Sequence, residues 1–505
     1  MNSSSSTPPG AALALPSRAA SFSVVVAIEL WERFGYYGMQ AVLLLFMVQH
    51  LGFADARANM TWGAFAAMTF ALPAVGGWLG DRVLGSRRAM LTGATTLAFG
   101  YAVLALATVH GQFFTLAMGL IATGNGFFKP NAANLVRRIY DGDDVELDAA
   151  FTLYYMAVNV GSTFSMLLTP WLQERFGPAF AFSACSAGLF VGLCFYAVRR
   201  GRLAHVGTAP DFAALPAGRA VAVFAAMLAV IGALSMVLAH AALARACVFV
   251  AGLLVLGCWT AIYCRAAPVQ RPGLRMAYML SLQGMVYFIF YQQMITSLTL
   301  FALRGVHGQV RLGGMTLFSL SAGQFQALNP IWIMLASPLL AWLYRRMALA
   351  GRDLSLAQKF AIGFALVTLA FVIWWLGALA GGAGRVTPWV MIWAYGALSV
   401  GELLISGLGL AVIARYVPRS IGAFMMGAYY LAVGVAMYLG SMVANLAAIG
   451  SGTVAAQAGG AGAYADLFLD LAMAAAGCTV LFVLLLPLAR QWDRQHSLVT
   501  TSTQP

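Results

Sequence analysis

Glu29, Glu32 and Arg33 sit inside an apolar stretch running from about Phe22 to Val48, long enough to cross a bilayer as one helix. At 3.6 residues per turn, Glu32 and Arg33 follow Glu29 by three and four positions and Tyr36 extends the stripe. One face therefore carries two acids, a base and a phenol. Ionisable groups at membrane depth are costly unless they face a cavity or pair with one another, so they mark an ion or substrate path. A buried ion pair that only pins helix packing is the plainer reading, but one arginine neutralises only one of two acids.

Two more charges fall within apolar segments, Lys129 and Glu402. Lys129 and Lys359 are the only lysines in a chain that otherwise uses arginine for every basic role. Arginine keeps its proton in a protein, whereas a desolvated lysine changes charge near neutral pH. The plainer role for Lys129 is a packing counter-ion to Glu29 or Glu32. Glu402 lies in the second half of the chain and both buried bases lie in the first, so the pocket has a positive and a negative pole. Such a site suits a zwitterion, and a peptide with a free amine and a free carboxylate is the commonest flexible one. Tyr155 and Asn159, four apart on one helix face, and Gln292, Gln293 and Asn329 are candidates for reading amide groups. Asn329-Pro330 also reads as a kink with a capping amide, and Tyr and Asn in spans often serve only as interhelical partners.

The elements that must position these groups are membrane helices. Apolar residues make up 61% of the chain and charged residues 9%, far from globular proportions. Apolar segments fall near residues 20–48, 59–79, 89–108, 113–139, 148–172 and 180–198, then 218–240 and 243–264, then 275–303, 324–346, 358–379, 388–416, 420–447 and 467–489. The expected fold is all-α and polytopic: fourteen transmembrane helices, arranged as two six-helix bundles (18–200 and 274–490) around a linker with an inserted helix hairpin (201–273). Residues 1–17, rich in Ser, Ala and Pro and without the basic start of a signal peptide, read as a disordered tail, and 491–505 as a polar tail. The net charge of +13 would suggest nucleic acid in a soluble protein. Here it reads as topology: with both ends in the cytoplasm only Arg57, Arg175, Arg245, Arg304, Arg311 and Arg385 face outward. The six cysteines have no paired spacing and look like small core residues.

Two six-helix halves related by a pseudo-two-fold axis are how major facilitator transporters build a midplane site that opens alternately to either side. The run Gly80-Asp81-Arg82-Val83-Leu84-Gly85-Ser86-Arg87-Arg88 resembles a cytoplasmic loop motif of that superfamily, in which Asp81 would pair across a helix end and Arg82 and its neighbours would latch a gate. By itself the run also reads as a tight turn with basic anchors.

The chain resembles the proton-dependent oligopeptide transporter family of that superfamily, in the bacterial form with two extra helices. The resemblance rests on Glu29-xx-Glu32-Arg33-Phe34-x-Tyr36-Tyr37, Phe127-Phe128-Lys129-Pro130-Asn131, Tyr155-Met156-Ala157-Val158-Asn159-Val160-Gly161-Ser162, Phe325-Gln326-Ala327-Leu328-Asn329-Pro330 and Gly401-Glu402-Leu403. It implies symport of di- and tripeptides with protons into the cytoplasm across a bacterial inner membrane, with the proton gradient as energy source and no cofactor, metal or nucleic acid. By position, Arg33 and Lys129 would hold the peptide carboxylate, and Asn159, Asn329 and Glu402 would surround its amine. Tyr36, Tyr37, Tyr155 and Ser406 would line the pocket. Glu29, Glu32, Arg33 and Lys129 would carry the proton.

The chain departs from the family pattern in places. Phe70 stands where a tyrosine is expected, Gln292 where an acid is expected on the seventh helix, Tyr429-Tyr430 for a tryptophan–phenylalanine pair, and Gly407 for a proline after Ser406. An intramembrane enzyme is disfavoured, because no His-Glu-xx-His pair, nucleophile-and-base pair or cysteine ligand cluster lies within a span. A carrier of another zwitterionic or anionic solute, or a non-transporting sensor with the same fold, are the remaining alternatives.

Overall fold

The computed structural model describes residues 16–406, 409–446 and 460–502. Gly407 and nearly all of the expected N-terminal tail lie outside these. Helix α1 (Arg18–Leu45) begins at Ser17, whose hydroxyl accepts from the Ala20 amide at 3.2 Å. It is followed by α2 (Asp55–Leu79), α3 (Ser86–Leu106), α4 (Phe114–Ile139), α5 (Asp144–Phe176) and α6 (Pro178–Arg199). A short helix α7 (Ala209–Phe212) precedes α8 (Ala217–Ala239) and α9 (Ala241–Arg265). The second set comprises α10 (Arg271–Tyr291), α11 (Ser297–Gly305), α12 (Leu328–Leu349), α13 (Leu356–Gly381), α14 (Trp389–Ile405), α15 (Gly409–Tyr416), α16 (Arg419–Ala444) and α17 (Ala465–Ser502). The only sheet among the described residues is a hairpin of β1 (Gln309–Leu312) and β2 (Met315–Ser319) between α11 and α12.

Each of the fourteen expected apolar segments falls on helix, and ten helices among the described residues are long and apolar enough to cross a membrane. Among the described residues one segment is broken. It divides into α10 and α11 at Gln292–Met294, where the hydroxyls of Thr296 and Thr299 donate to the carbonyls of Gln292 (2.8 Å) and Met294 (2.9 Å). Side chains thus satisfy backbone groups freed by the break, as an apolar surrounding demands. The segment expected as a polar tail continues α17 as helix to Ser502. There Asp493 accepts from the Tyr416 hydroxyl at 2.8 Å and pairs with Arg415 at 3.4 Å.

Helix crossings are close where glycine permits. Pro130 has no N–H to give to the carbonyl of Gly126, and that carbonyl faces α2: a Cβ on Gly76 would lie 2.0 Å from its oxygen. The Asn131 amide donates to the carbonyls of Gly76 (3.0 Å) and Phe127 (2.8 Å), which ties α4 to α2 two residues from Lys129.

Helices α1–α6 and α10–α17 form two bundles joined by hydrogen bonds and ion pairs at one end. Arg304 of α11 holds Asp55 of α2 with two bonds, 2.5 and 2.8 Å. Asn59 donates to Asn445 at 2.9 Å, Gln324 to the Leu167 carbonyl at 2.7 Å, and Gln40 to Gln326 at 3.4 Å. Among the described residues no such bond joins the bundles at the end where α1 begins.

Candidate substrate and proton site

The first-helix charges are all buried: Glu29, Glu32 and Arg33 are 2, 0 and 4% exposed. The Arg33 Nε is bonded to Glu32 and lies 3.3 Å from Glu29. One cation thus serves two acids, and Glu29 Oε2, Glu32 Oε1 and Arg33 Nη2 are buried without a hydrogen-bond partner. Buried polar groups are normally satisfied, so three orphans in one cluster mark a place built to take a proton or a ligand. Below the guanidinium lie the rings of Tyr36 and Tyr37, at 5.5 and 5.8 Å, packed edge to face on each other.

Lys129 on α4 is half-buried and makes no ion pair among the described residues, so it is not the counter-ion of either acid. Its Nζ lies 5.4 Å from the centre of the Phe70 ring. It faces Glu29, Glu32 and Arg33 at longer range. The ring that replaces a tyrosine therefore offers the ammonium a π face in place of a hydroxyl.

Across the cavity, Glu402 on α14 accepts from the Asn329 amide of α12 at 2.7 Å, and the same amide reaches the Ser399 hydroxyl at 3.1 Å. No cation pairs with Glu402 among the described residues. Ser406 is half-buried one turn on, its backbone N–H bonded to the Glu402 carbonyl. Tyr37, Tyr155, Tyr287 and Tyr291 surround Glu402 at longer range.

Other expected residues are turned elsewhere. The Asn159 amide donates to the Tyr155 carbonyl of its own helix at 2.8 Å, while the Tyr155 side chain remains 48% exposed. Gln292 and Gln293 are fully buried and bind α16, through the Ser441 hydroxyl (2.9 Å) and the Gly440 carbonyl (2.9 Å). In this arrangement their amides serve as interhelical ties. Tyr429 is wedged against α10 and α15, its hydroxyl 2.3 Å from where a Cβ on Gly409 would stand.

The loop residues lie away from this cavity. Asp81 accepts from the Asn134 amide at 2.8 Å, which ties the end of α2 to α4, and Arg82 is exposed with no partner among the described residues. Arg87 and Arg88 grip the segment after α6. Arg87 donates to the carbonyls of Leu203 (2.9 Å) and Ala204 (2.8 Å), Arg88 to those of Pro210 (2.9 Å) and Ala213 (2.8 Å). Gly85, at φ +95°, leaves α3 without a capping side chain of its own. Thr208 and Asp211 supply it by accepting from the amides of Ser86 (3.0 Å), Arg87 (3.2 Å) and Arg88 (3.4 Å).

Sequence reasoning passed over Tyr154, which lies against Glu29, and Tyr287, Tyr291 and Ser399, which adjoin the Glu402 pole. The four-residue spacing of Tyr287 and Tyr291, and Ser399 three before Glu402, were the available signals.

The family model described as the POT family matches residues 87–459. The chain belongs to the POT family. It is 38% identical over 487 residues to dipeptide and tripeptide permease A of Cronobacter turicensis, covering 96% of this chain and 95% of that protein. The permease A of Salmonella typhimurium is 38% identical over 472 residues, 92% of each. Among solved structures, tetrameric PepTSo2 aligns with a TM-score of 0.85 at 45% identity, over 94% of this chain and 99% of that one. A bacterial homologue of the human drug peptide transporters PepT1 and PepT2 aligns with a TM-score of 0.84 at 46% identity, over 94% and 100%. The two bundles of this POT member are thus a major facilitator fold, and the chain is a multi-pass inner-membrane protein.

Proposed function

We infer that this POT member carries di- and tripeptides across the membrane together with protons, by alternating access of one central cavity. The relatives that match over almost their whole length are dipeptide and tripeptide permeases. The observation that carries the reading is the asymmetry of the two poles. Glu402 is a carboxylate held only by neutral groups, so the cation it lacks is supplied by the ligand, and a peptide amine fits. At the opposite pole Lys129 has no paired anion among the described residues, and a peptide carboxylate fits there, with Arg33 beside it.

The proton is assigned to Glu29 and Glu32, which cannot both be neutralised by Arg33. Protonation of one releases Arg33 toward the substrate and couples the two movements. Tyr36, Tyr37, Tyr155 and Ser406 line the space between, Asn329 orients Glu402, and Asn159 is assigned to the amine end once its amide leaves its own helix. Bundle boundaries at 18–200 and 274–490, with the hairpin at 201–273, match this scheme. The basic excess supports a cytoplasmic position for the end where α1 begins; with it the bonded end would face outward and the arrangement would be an inward-facing state. The gradient supplies the energy and the scheme requires no cofactor. Asp81 and Arg82, on the cytoplasmic loop, are assigned to gating.

The deciding test is uptake of a labelled dipeptide into proteoliposomes with and without an inward proton gradient, challenged by unlabelled di-, tri- and tetrapeptides and free amino acids. Gradient-dependent accumulation displaced by di- and tripeptides is expected. Accumulation of another solute with indifference to peptides would replace this reading.

A further inference from the structure

A second cavity, of about 470 Å³, lies between the bundles at their bonded end, and the transport scheme makes no use of it. Its walls come from the ends of α1, α5 and α11, the start of α6, and the segments before α12 and α14. Its floor is the seal itself. Gly323 lies beside the lining residues Ala322 and Phe325, and a Cβ on it would stand 2.7 Å from the Ala41 carbonyl oxygen and 3.0 Å from Pro170. No substrate passes that floor in this state.

The charges of this cavity are matched to one kind of ligand. Glu174 stands on the wall of the first bundle, with the Ser321 hydroxyl beside it, and Arg385 on the wall of the second. Both are exposed at the cavity, and neither forms an ion pair among the described residues. Arg385 makes only two long bonds, 3.4 Å each, to the carbonyls of Val306 and Leu303. These fix its place and leave guanidinium hydrogens free. The volume lies within the roughly 300–1,000 Å³ usual for small-molecule sites. An anion and a cation held apart across such a volume fit a short molecule that carries both charges.

We propose that this cavity is an outer antechamber, which binds a zwitterionic peptide with its amine toward Glu174 and its carboxylate toward Arg385 before the seal opens. The proposal rests on the peptide-transport reading for its ligand class and on the cavity for its place. It gives the protein two dipolar peptide stations of opposite orientation, one on each side of the seal. In both, the two bundles supply opposite charges, but in reversed order: the first bundle offers the base at the central site and the acid here.

The test is side-specific kinetics of the full-length protein. Glu174→Gln should raise the KM for dialanine presented from the outer face by about 2- to 5-fold, the range for a partly exposed charge pair, and leave the maximal rate intact. N-acetyl-dialanine should show no such change, and the KM for dialanine presented from the inner face should equal that of the wild type. An unchanged outer KM, or an equal change from both faces, would overturn the antechamber. Equilibrium binding of dialanine to the solubilised protein separates this from the transport reading. If the wild type fails to transport dialanine but binds it, and Glu174→Gln weakens that binding, the antechamber stands and symport falls. No difference in binding between the two proteins would discard the antechamber.

Discussion

The two carboxylate poles of the central cavity are built differently. On α1, two acids share a single arginine at contact distance, and buried atoms of all three side chains are left unpaired. On α14, a single acid is held by the amide of Asn329, with Ser399 behind it, and by no cation among the described residues. The first arrangement is saturated with charge and short of protons, so a change in its protonation is the easiest way to satisfy it. The second has a hydrogen bond from a neutral amide and is short of a positive charge, so a ligand amine satisfies it. One pole is therefore built around a proton and the other around a substrate.

Removing the acids of α1 attacks that division most directly. Glu29→Gln or Glu32→Gln should abolish gradient-driven accumulation while leaving counterflow exchange, which needs a pocket but no net proton movement. Unaltered pH-driven accumulation in both variants would erase the distinction between the poles.

Lys129→Arg comes next. Arginine preserves the charge over the Phe70 ring but cannot release a proton at any working pH. Retained peptide binding with lost gradient-driven uptake is expected, which would extend the proton pole to α4. Near-normal uptake would leave Lys129 as a fixed anchor for the substrate carboxylate and move it to the other side of the comparison.

Glu402→Gln tests the substrate pole. A charge-assisted bond to the amine is worth about 1.5–3 kcal/mol, or roughly 10- to 150-fold in affinity for free dipeptides. N-acetylated dipeptides should change far less. Equal losses for both would assign Glu402 to packing or gating. The smallest expected effect belongs to Asn329→Ala, which removes a bond that positions Glu402 rather than one to the peptide and should cost about 0.5–1.5 kcal/mol, roughly 2- to 13-fold, in the same binding measurement. A loss as large as that of Glu402→Gln would show that the amide itself contacts the peptide.

Much of this was legible in the sequence because membrane proteins restrict ionisable groups so severely. Five charges left in apolar segments located both poles, and their helical spacing placed Glu29, Glu32 and Arg33 on one buried face. What spacing could not give was which side chains turn back on their own backbone. Asn159 and Gln293 sit at depths where an amide must find a partner, and the nearest carbonyl, one turn away or on the next helix, competes with any pocket role. Apolarity also misleads about importance. Among the described residues the helices that carry Glu29, Lys129 and Asn159 are absent from the ten apolar enough and long enough to qualify as spans, whereas α8 and α9, without a polar site, qualify easily.

The inserted hairpin has a practical use that follows from where its two arms lean. Helix α8 lies on the first bundle, with Ile231 and Ser235 against Gly119 of α4, and its approach is pinned by Thr208 and Asp211 at the head of α3. Helix α9 lies on the second, with Trp259 stacked 5.1 Å from Tyr278 of α10, whose hydroxyl donates to the Trp259 carbonyl. Each arm is fastened to a different moving body, and the pair meets at the turn by His240. Spectroscopic labels on the lipid-exposed faces of the two arms, at Leu228 and Leu254 for instance, would form a ruler far from the peptide site. The distance between them reads out the relative position of the bundles without touching the chemistry that moves them.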